Sequence, residues 1–274
     1  MHKIVNPVAW VLALLGLTAM PALASSDNGA NPRPRIAVVV DDLGNQWRSG
    51  LEAIDIPFIQ TIAIMPGRPY SRKLAEVSYS SGKTVIVHAP MANYADFPLG
   101  PFGLDRADGR DGMLRNLLEG LETVPHAEGL SNHMGSRLTQ DAEAMGWIMS
   151  ELRDRDLFFF DSLTVASSQG WRVARDMGLP WSRRHVFLDH EPTPEFINQQ
   201  WQLALRRAEE HGYVTVIGHP YPETLAFFAE LNPNDYLQYE WVSVRDLLYA
   251  PIRPVFSEEA LSPAAREFWP PPQF

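Results

Sequence analysis

Apolar residues in this chain come as short β-branched runs separated by stretches with helical spacing. Residues 35–40 read Arg-Ile-Ala-Val-Val-Val, between a polar lead-in and the sequence Asp41-Asp42-Leu43-Gly44. Such a run predicts a central strand buried on both faces. Comparable runs occupy residues 58–65, 84–88, 157–160, 186–188 and 213–218. Between them, 74–81 predicts a short helix, and 111–122 places Met113, Leu114, Leu117, Leu118 and Leu121 on one stripe. After Thr139, Met145, Ile148, Met149 and Leu152 share a face, as do Ile197, Trp201, Ala204, Leu205 and Ala208. Stripes of this spacing are packing faces. Strands alternating with helices predict parallel β-α units with right-handed crossovers. About seven units, without an internal repeat, predict an α/β fold of the irregular (β/α) barrel kind. Residues 94–112 are rich in Gly, Asp and Pro and too long for an ordinary connection, so they are expected to form a loop beside the site.

The two ends read differently. Lys3, an apolar stretch over 8–17 and Ala22-Leu23-Ala24 make residues 1–24 a predicted signal peptide cleaved after Ala24. The apolar stretch is too short to span a membrane comfortably. Residues 25–34 are a polar lead-in, 35–250 the predicted domain, and 251–274 a Pro-rich tail. Cleavage leaves 250 residues, enough to bury a core of their own. No cysteine occurs, which excludes disulfides, thiolate ligands and a Cys nucleophile. Export without disulfides fits a bacterial periplasm, so the expected location is periplasmic or secreted.

The formal charge is −10, from 23 basic and 33 acidic residues. A nucleic-acid role is disfavoured, because phosphate binding needs a basic face. Ser81-Gly82-Lys83-Thr84 mimics the end of a P-loop, but Val77 stands where its first glycine belongs. Neither a Gly-x-Ser-x-Gly elbow nor a Gly-x-Gly-x-x-Gly turn is present.

What remains is a recurrence of titratable groups at the ends of apolar runs: Asp41-Asp42, His88, His133, Asp161 and His219. Barrels and open α/β sheets build sites in this way, at one mouth. Adjacent side chains of a strand face opposite ways, so Asp41 and Asp42 share a site only where the strand breaks, and Leu43-Gly44 allows that break. Two close carboxylates resist joint ionisation unless a cation intervenes, leaving one as ligand and the other as base. Their alternative role is to cap the next helix. An Asp with two neutral imidazoles suits Zn²⁺ and leaves a position open for water. His219, in Ile-Gly-His-Pro-Tyr-Pro-Glu-Thr, is placed to protonate a leaving group. Asp161 is either a partner orienting an imidazole or a structural cap. Asp189-His190 is a weaker candidate.

Five blocks in order resemble the divergent polysaccharide deacetylases, relatives of the NodB-type carbohydrate esterases. They are Ile36-Ala-Val-Val-Val-Asp-Asp-Leu-Gly44, Val87-His-Ala-Pro-Met91, Asn132-His-Met-Gly-Ser-Arg137, Phe158-Phe-Phe-Asp-Ser162 and Ile217-Gly-His-Pro-Tyr-Pro-Glu-Thr224. The resemblance implies an irregular barrel with its site at the C-terminal strand ends. It also implies removal of acetyl groups from an N- or O-acetylated saccharide, with a divalent metal, most readily Zn²⁺, as cofactor. In that frame Asp41 is the base, Asp42 a metal ligand and His219 the general acid, with Asp161 as a further catalytic group. The family's usual pair of histidines four residues apart is missing, since Ala92 follows His88 and Arg137 follows His133 at that offset. His88 and His133, from different strands, are therefore the expected imidazole ligands. Asn132, Arg137 and Tyr221 are expected to touch the saccharide or support the site. The usual Arg-Pro-Tyr motif is replaced by 132–137. These departures leave a second expectation open, a saccharide-binding or envelope scaffold that has lost catalysis. A two-carboxylate glycosidase is a third, should no metal bind.

Overall fold

The computed structural model describes residues 32–249, so the predicted signal peptide and the whole of the Pro-rich tail lie outside the described residues. Strands and helices alternate: β1 (Arg35–Leu43), α1 (Trp47–Asp55), β2 (Ile59–Ile64), α2 (Ser71–Ser80), β3 (Thr84–Met91), α3 (Gly109–Glu122), β4 (Ala127–Met134) and α4 (Ala142–Arg153). Then follow β5 (Phe158–Asp161), α5 (Gly170–Asp176), β6 (Trp181–Arg183), β7 (Val186–Phe187), α6 (Pro194–His211), β8 (Tyr213–Gly218), α7 (Pro222–Glu230) and β9 (Glu240–Trp241). All strand pairings in the sheet are parallel, in the order β6-β5-β4-β3-β2-β1-β8-β7, with β9 beside the start of β1.

The sheet's two edges, β6 and β7, are consecutive in the chain, and Arg184 and His185 alone separate them. The Arg184 amide donates to Asp161 O at 3.0 Å and the His185 amide to Thr215 O at 3.0 Å. One interrupted segment thus crosses the seam of a curled sheet. Counted as a single stave it makes seven around the barrel, although the sheet has nine strands.

Two apolar layers hold this arrangement. Val39, Ala63, Ile86, Phe158, Phe160, Ile217 and Val244 form the cluster inside the barrel. A larger cluster, including Trp201, Phe159 and Phe228, packs the outer strand faces against the helices. Local signals agree with the helix ends. In α6 the Thr193 hydroxyl accepts from the Phe196 amide at 3.3 Å, Pro194 opens the first turn, and Gly212 ends it at φ 78°.

Three expectations need adjusting. β4 is a full strand although Leu130 is its only large aliphatic residue before His133; Ser131 and Asn132 are buried because their side chains are hydrogen-bonded. β1 ends at Leu43, with Gly44 in the turn, but both aspartates lie inside the strand, which carries one extra residue there, since Val40 pairs with Ile62 and Leu43 with Ile64. Finally, Asp41 and Asp42 do not cap α1, whose start at Gln46 has no side-chain cap.

Candidate metal centre

The extra residue in β1 creates the site. Asp42 sits at φ 63°, a left-handed conformation that a bulge tolerates and a regular strand does not. Neighbouring side chains that would face apart are thereby turned into one cleft, where both carboxylates meet His88. Met134 and Leu163, on the cleft wall or next to it, also hold positive φ. Backbone strain of this kind collects where a structure fixes chemistry.

The cleft has a volume of about 220 Å³ and lies at the C-terminal ends of the strands. Asp42 Oδ1 is 2.7 Å from His133 Nδ1 and 3.2 Å from His88 Nε2, yet neither ring nitrogen is aligned for a hydrogen bond, and the buried oxygen has no hydrogen-bond partner. One donor atom from each of the three residues lies within 4.8 Å of the others. A tetrahedral shell with bonds of about 2.1 Å has edges of about 3.4 Å, so the set fits a divalent ion. The donor types, a carboxylate and two imidazoles, suit zinc. Ser131 Oγ lies 2.7 Å from His88 Nδ1, which leaves Nε2 to face Asp42. Burial acts to raise the Asp42 pKa, but the imidazoles outweigh it and hold this carboxyl well below the usual range.

Asp41 stands beside this trio in a different state. It is buried, its Oδ1 has no partner, and its Oδ2 lies 3.5 Å from Ser162 Oγ and 3.6 Å from His88 Nε2. Burial pushes its pKa up, outweighing the attraction of His88 and His219. A carboxylate so placed is a stronger base than one in water.

His219 faces the pair from β8, with Nε2 3.9 Å from Asp42 Oδ2. Its Nδ1 lies 2.9 Å from Asp189 Oδ1, while Asp189 Oδ2 accepts from the His219 amide at 2.6 Å and from Thr224 Oγ1 at 2.7 Å. Gly218 makes room for this clamp: a Cβ there would stand 3.2 Å from Thr224 Cγ2 and 3.4 Å from Asp189 Oδ2. Burial lowers the imidazole pKa, but the Asp189 hydrogen bond and the charges of Asp189, Asp42 and Asp41 raise it to about 9. The ring is therefore protonated at neutral pH.

The structure brings Asp41, Asp42, His88, Asn132, His133 and His219 to one cleft. Asn132 acts there on the backbone: its Oδ1 accepts from the Ser162 amide at 3.0 Å, and its Nδ2 donates to Met134 O at 2.9 Å. Tyr221 lies at the rim, its ring 5.3 Å from that of His219. Two expected residues are placed elsewhere. Asp161 follows the inward-facing Phe160 and so turns outward. It accepts from the Leu163 amide at 2.8 Å, Ser168 Oγ at 2.7 Å and the Trp171 amide at 3.1 Å, which makes it the structural clamp of the β5–α5 loop. Arg137 leaves the cleft and bridges Asp96 and Asp105 in the β3–α3 loop, at 2.9 and 2.8 Å.

Asp189 is a functional candidate that sequence reasoning ranked low, and Arg184 is one that it missed. Asp189 follows an apolar triplet, as Asp161 does, but nothing in the chain pairs it with His219. Arg184 lines the cleft near Asp41, with Nε donating to Ser162 O at 2.7 Å. Nothing in Trp181-Ser182-Arg183-Arg184-His185 marks one arginine out in the sequence; only the apolar run that follows it predicts a strand. A larger hollow, about 420 Å³, lies at the opposite end of the barrel among Arg35, Thr84, Ser243 and Arg245. Nothing in its lining groups metal donors in the way the cleft does.

Comparison with known proteins agrees with this architecture. The divergent polysaccharide deacetylase family profile matches residues 38–248. The chain is 31% identical over 226 residues to the uncharacterized protein YibQ of Escherichia coli (strain K12), covering 82% of this chain and 68% of YibQ. An uncharacterized protein of Haemophilus influenzae is 30% identical over 192 residues, covering 70% of this chain and 69% of its own. Among solved structures, the uncharacterized protein ATU2773 from Agrobacterium tumefaciens C58 superposes with a TM-score of 0.74 at 22% identity, covering 80% of this chain and 90% of that one. At that identity the likeness shows a shared fold.

Proposed function

Because the chain belongs to the divergent polysaccharide deacetylase family, we propose that it is a metal-dependent hydrolase that removes acetyl groups from a saccharide of the cell envelope. The observation that carries this reading is the convergence of Asp42, His88 and His133 beside a buried, unpartnered Asp41 oxygen and opposite His219, whose Nδ1 is clamped by Asp189. A bound divalent ion supplies Lewis acidity for the acyl oxygen and lowers the pKa of water. Asp42, His88 and His133 would hold it.

The chain's own residues do the rest. Asp41 takes the proton of the attacking water as its oxygen adds to the acetyl carbon. His219 gives its Nε2 proton to the departing amine or alkoxide as the bond to that carbon breaks, and acetate leaves. Asp189 keeps the imidazole oriented and charged for this transfer. Arg184, held by the Ser162 and Leu163 carbonyls, keeps a fixed positive charge near Asp41. The small cleft suits an acetyl group with the edge of one sugar, leaving the rest of the saccharide outside. Export past the inner membrane, read from residues 1–24, belongs to the same proposal.

The test is metal content and turnover together, on protein purified without a His-tag or chelator. Near-stoichiometric zinc or another transition metal is expected, lost in both His88→Ala and His133→Ala. Asp41→Asn should keep the metal and lose about 10²-fold or more of acetate release. A folded wild type that stays empty when metal is supplied overturns the reading and leaves the scaffold alternative.

A further inference from the structure

At the floor of the barrel, opposite the metal cleft, the inward-facing positions turn from apolar to polar. Val39, Ala63 and Ile86 belong to the interior cluster, and alternation along β1, β2 and β3 puts Arg35, Thr61 and Thr84 on the same inner side. Thr61 and Thr84 are register partners, and Ser243, shortly after β9, completes a trio of buried hydroxyls with them. Each hydroxyl carries one proton, and the trio itself accepts two of the three. Ser243 Oγ donates to Thr84 Oγ1 at 2.7 Å, which leaves the Thr61 hydroxyl to donate to Ser243 Oγ at 3.3 Å. The Val244 amide donates to Thr61 Oγ1 at 3.0 Å and the Arg245 amide to Ser243 Oγ at 3.2 Å. The Thr84 proton has no acceptor among the described residues, although the side chain is only 1% exposed. A buried donor left unpaired costs about 1–3 kcal/mol, so an acceptor from outside the chain stabilises the floor.

Thr84 lines the hollow of about 420 Å³, which lies within the size range of small-molecule pockets. Two guanidiniums border it. Arg35 Nη1 donates to Asp246 O at 3.2 Å, and Arg245 Nη1 is held by the two Glu128 carboxylate oxygens at 3.0 and 2.8 Å. Their remaining N–H groups have no acceptor among the described residues. Of the carboxylates on the lining, Asp246 accepts from the Ser243 amide at 2.9 Å, while Glu240 stands exposed, where water and salt screen it. Gly82, at φ 75°, leaves its part of the wall open, since a Cβ there would meet nothing within 4 Å. Gly82 and Thr84 of the P-loop-like Ser81-Gly82-Lys83-Thr84 thus face a hollow, but Lys83 does not reach for a ligand as a P-loop lysine does. Its Nζ donates to Ile56 O at 3.0 Å and to Ile59 O at 2.7 Å. Unspent donors on Thr84, Arg35 and Arg245 match the oxygens of an anion.

We propose that the floor hollow is a second ligand site, which takes the phosphate or carboxylate group of a small molecule between Arg35, Arg245 and the Thr84 hydroxyl. It is separate from the metal cleft and independent of the deacetylase reading. The two sites share strands: β1 carries Arg35 and Asp42, and β3 carries Thr84 and His88. A ligand on the floor therefore ties together strands that the metal ties at the mouth.

The test titrates inorganic phosphate and, separately, malonate into chelator-treated protein in a buffer free of other oxyanions, read by calorimetry and by the NMR shifts of the Thr84, Ser243 and Arg245 amides. One saturable site is expected, with shifts at those amides. Arg35→Gln and Arg245→Gln should each weaken it about tenfold or more, and His219→Gln should leave it unchanged. Arg245 is exposed, so its variant folds and keeps the test open whatever Arg35→Gln does to stability. Tighter phosphate assigns a phosphorylated ligand and tighter malonate a carboxylated one, and either supports the site when the arginine variants weaken it. Absence of saturable binding by both probes overturns the site and leaves water as the partner of Thr84. Binding that keeps full strength in both arginine variants and disappears in His219→Gln also overturns it, because the anion then sits in the metal cleft.

Discussion

At His219 two effects oppose each other. Burial disfavours the imidazolium, whereas the Asp189 hydrogen bond and the charges of Asp189, Asp42 and Asp41 favour it and keep the pKa at about 9. In the unfolded chain the same group titrates near 6.5. A folded pKa raised in this way contributes stability that is fully present below pH 6.5 and lost as pH rises through 9. The amount is on the order of 3 kcal/mol. Denaturant unfolding of chelator-treated protein should therefore show stability falling across pH 6.5–9, and Asp189→Asn should flatten that fall. An unchanged slope would mean that Asp189 does not set the charge of this ring. Asp161 makes the contrasting prediction. Asp161→Ala strands the Leu163 and Trp171 amides, so it is expected to cost about 2–4 kcal/mol of stability. Metal content should stay at the wild-type level. Loss of metal without loss of stability would return Asp161 to the reacting centre.

Among the elements, the seam between β6 and β7 carries the clearest pH signature. His185 is largely buried there; its Nδ1 accepts from the Thr215 amide at 3.1 Å, and its carbonyl accepts from Arg207. Burial, then the charges of Arg183, Arg207 and His211, lower its pKa to about 4. The unfolded chain binds this proton first, so stability present above pH 6.5 is lost as pH falls toward 4. The loss is on the order of 2–3 kcal/mol after allowing for partial exposure. His185→Gln keeps an acceptor for Thr215 without a titrating group, and its stability between pH 6.5 and 4 should be flatter than that of wild type. Sequence patterning reached some elements and missed others for physical reasons. β8 (Tyr213–Gly218) and the core of β1 were legible because both faces are apolar. β4 was not, because Ser131 and Asn132 are buried through hydrogen bonds that a hydropathy pattern does not carry. The Asp42 bulge was equally hidden: one extra residue against β2 is a property of pairing, not of either strand alone.

At the scale of the molecule, the candidate ligands come from β1, β3 and β4, and no contiguous motif links them. Order along the chain was enough to nominate Asp42, His88 and His133, since Asp42 and His88 end predicted strands, His133 belongs to one of the five resembling blocks, and a parallel barrel gathers strand ends at one mouth. It was not enough to exclude Asp161, which also ends a strand but points outward because β5 places Phe160 inside. An ion held by three strands ties together segments about 45 residues apart in the chain, so binding it should stabilise the fold as a whole. At a free metal concentration of 100 Kd the gain is about 2.7 kcal/mol. For a domain of this size that corresponds to roughly 5–10 °C in Tm. Thermal unfolding of chelator-treated protein with and without added Zn²⁺ is expected to show this upshift. His133→Ala should lose it, because one of three donors is gone. Asp161→Ala should retain it, from a lower starting Tm, because its clamp lies outside the donor set. An upshift that survives His133→Ala at full size would place the ion elsewhere in the molecule, and the assignment of the cleft would fall with it.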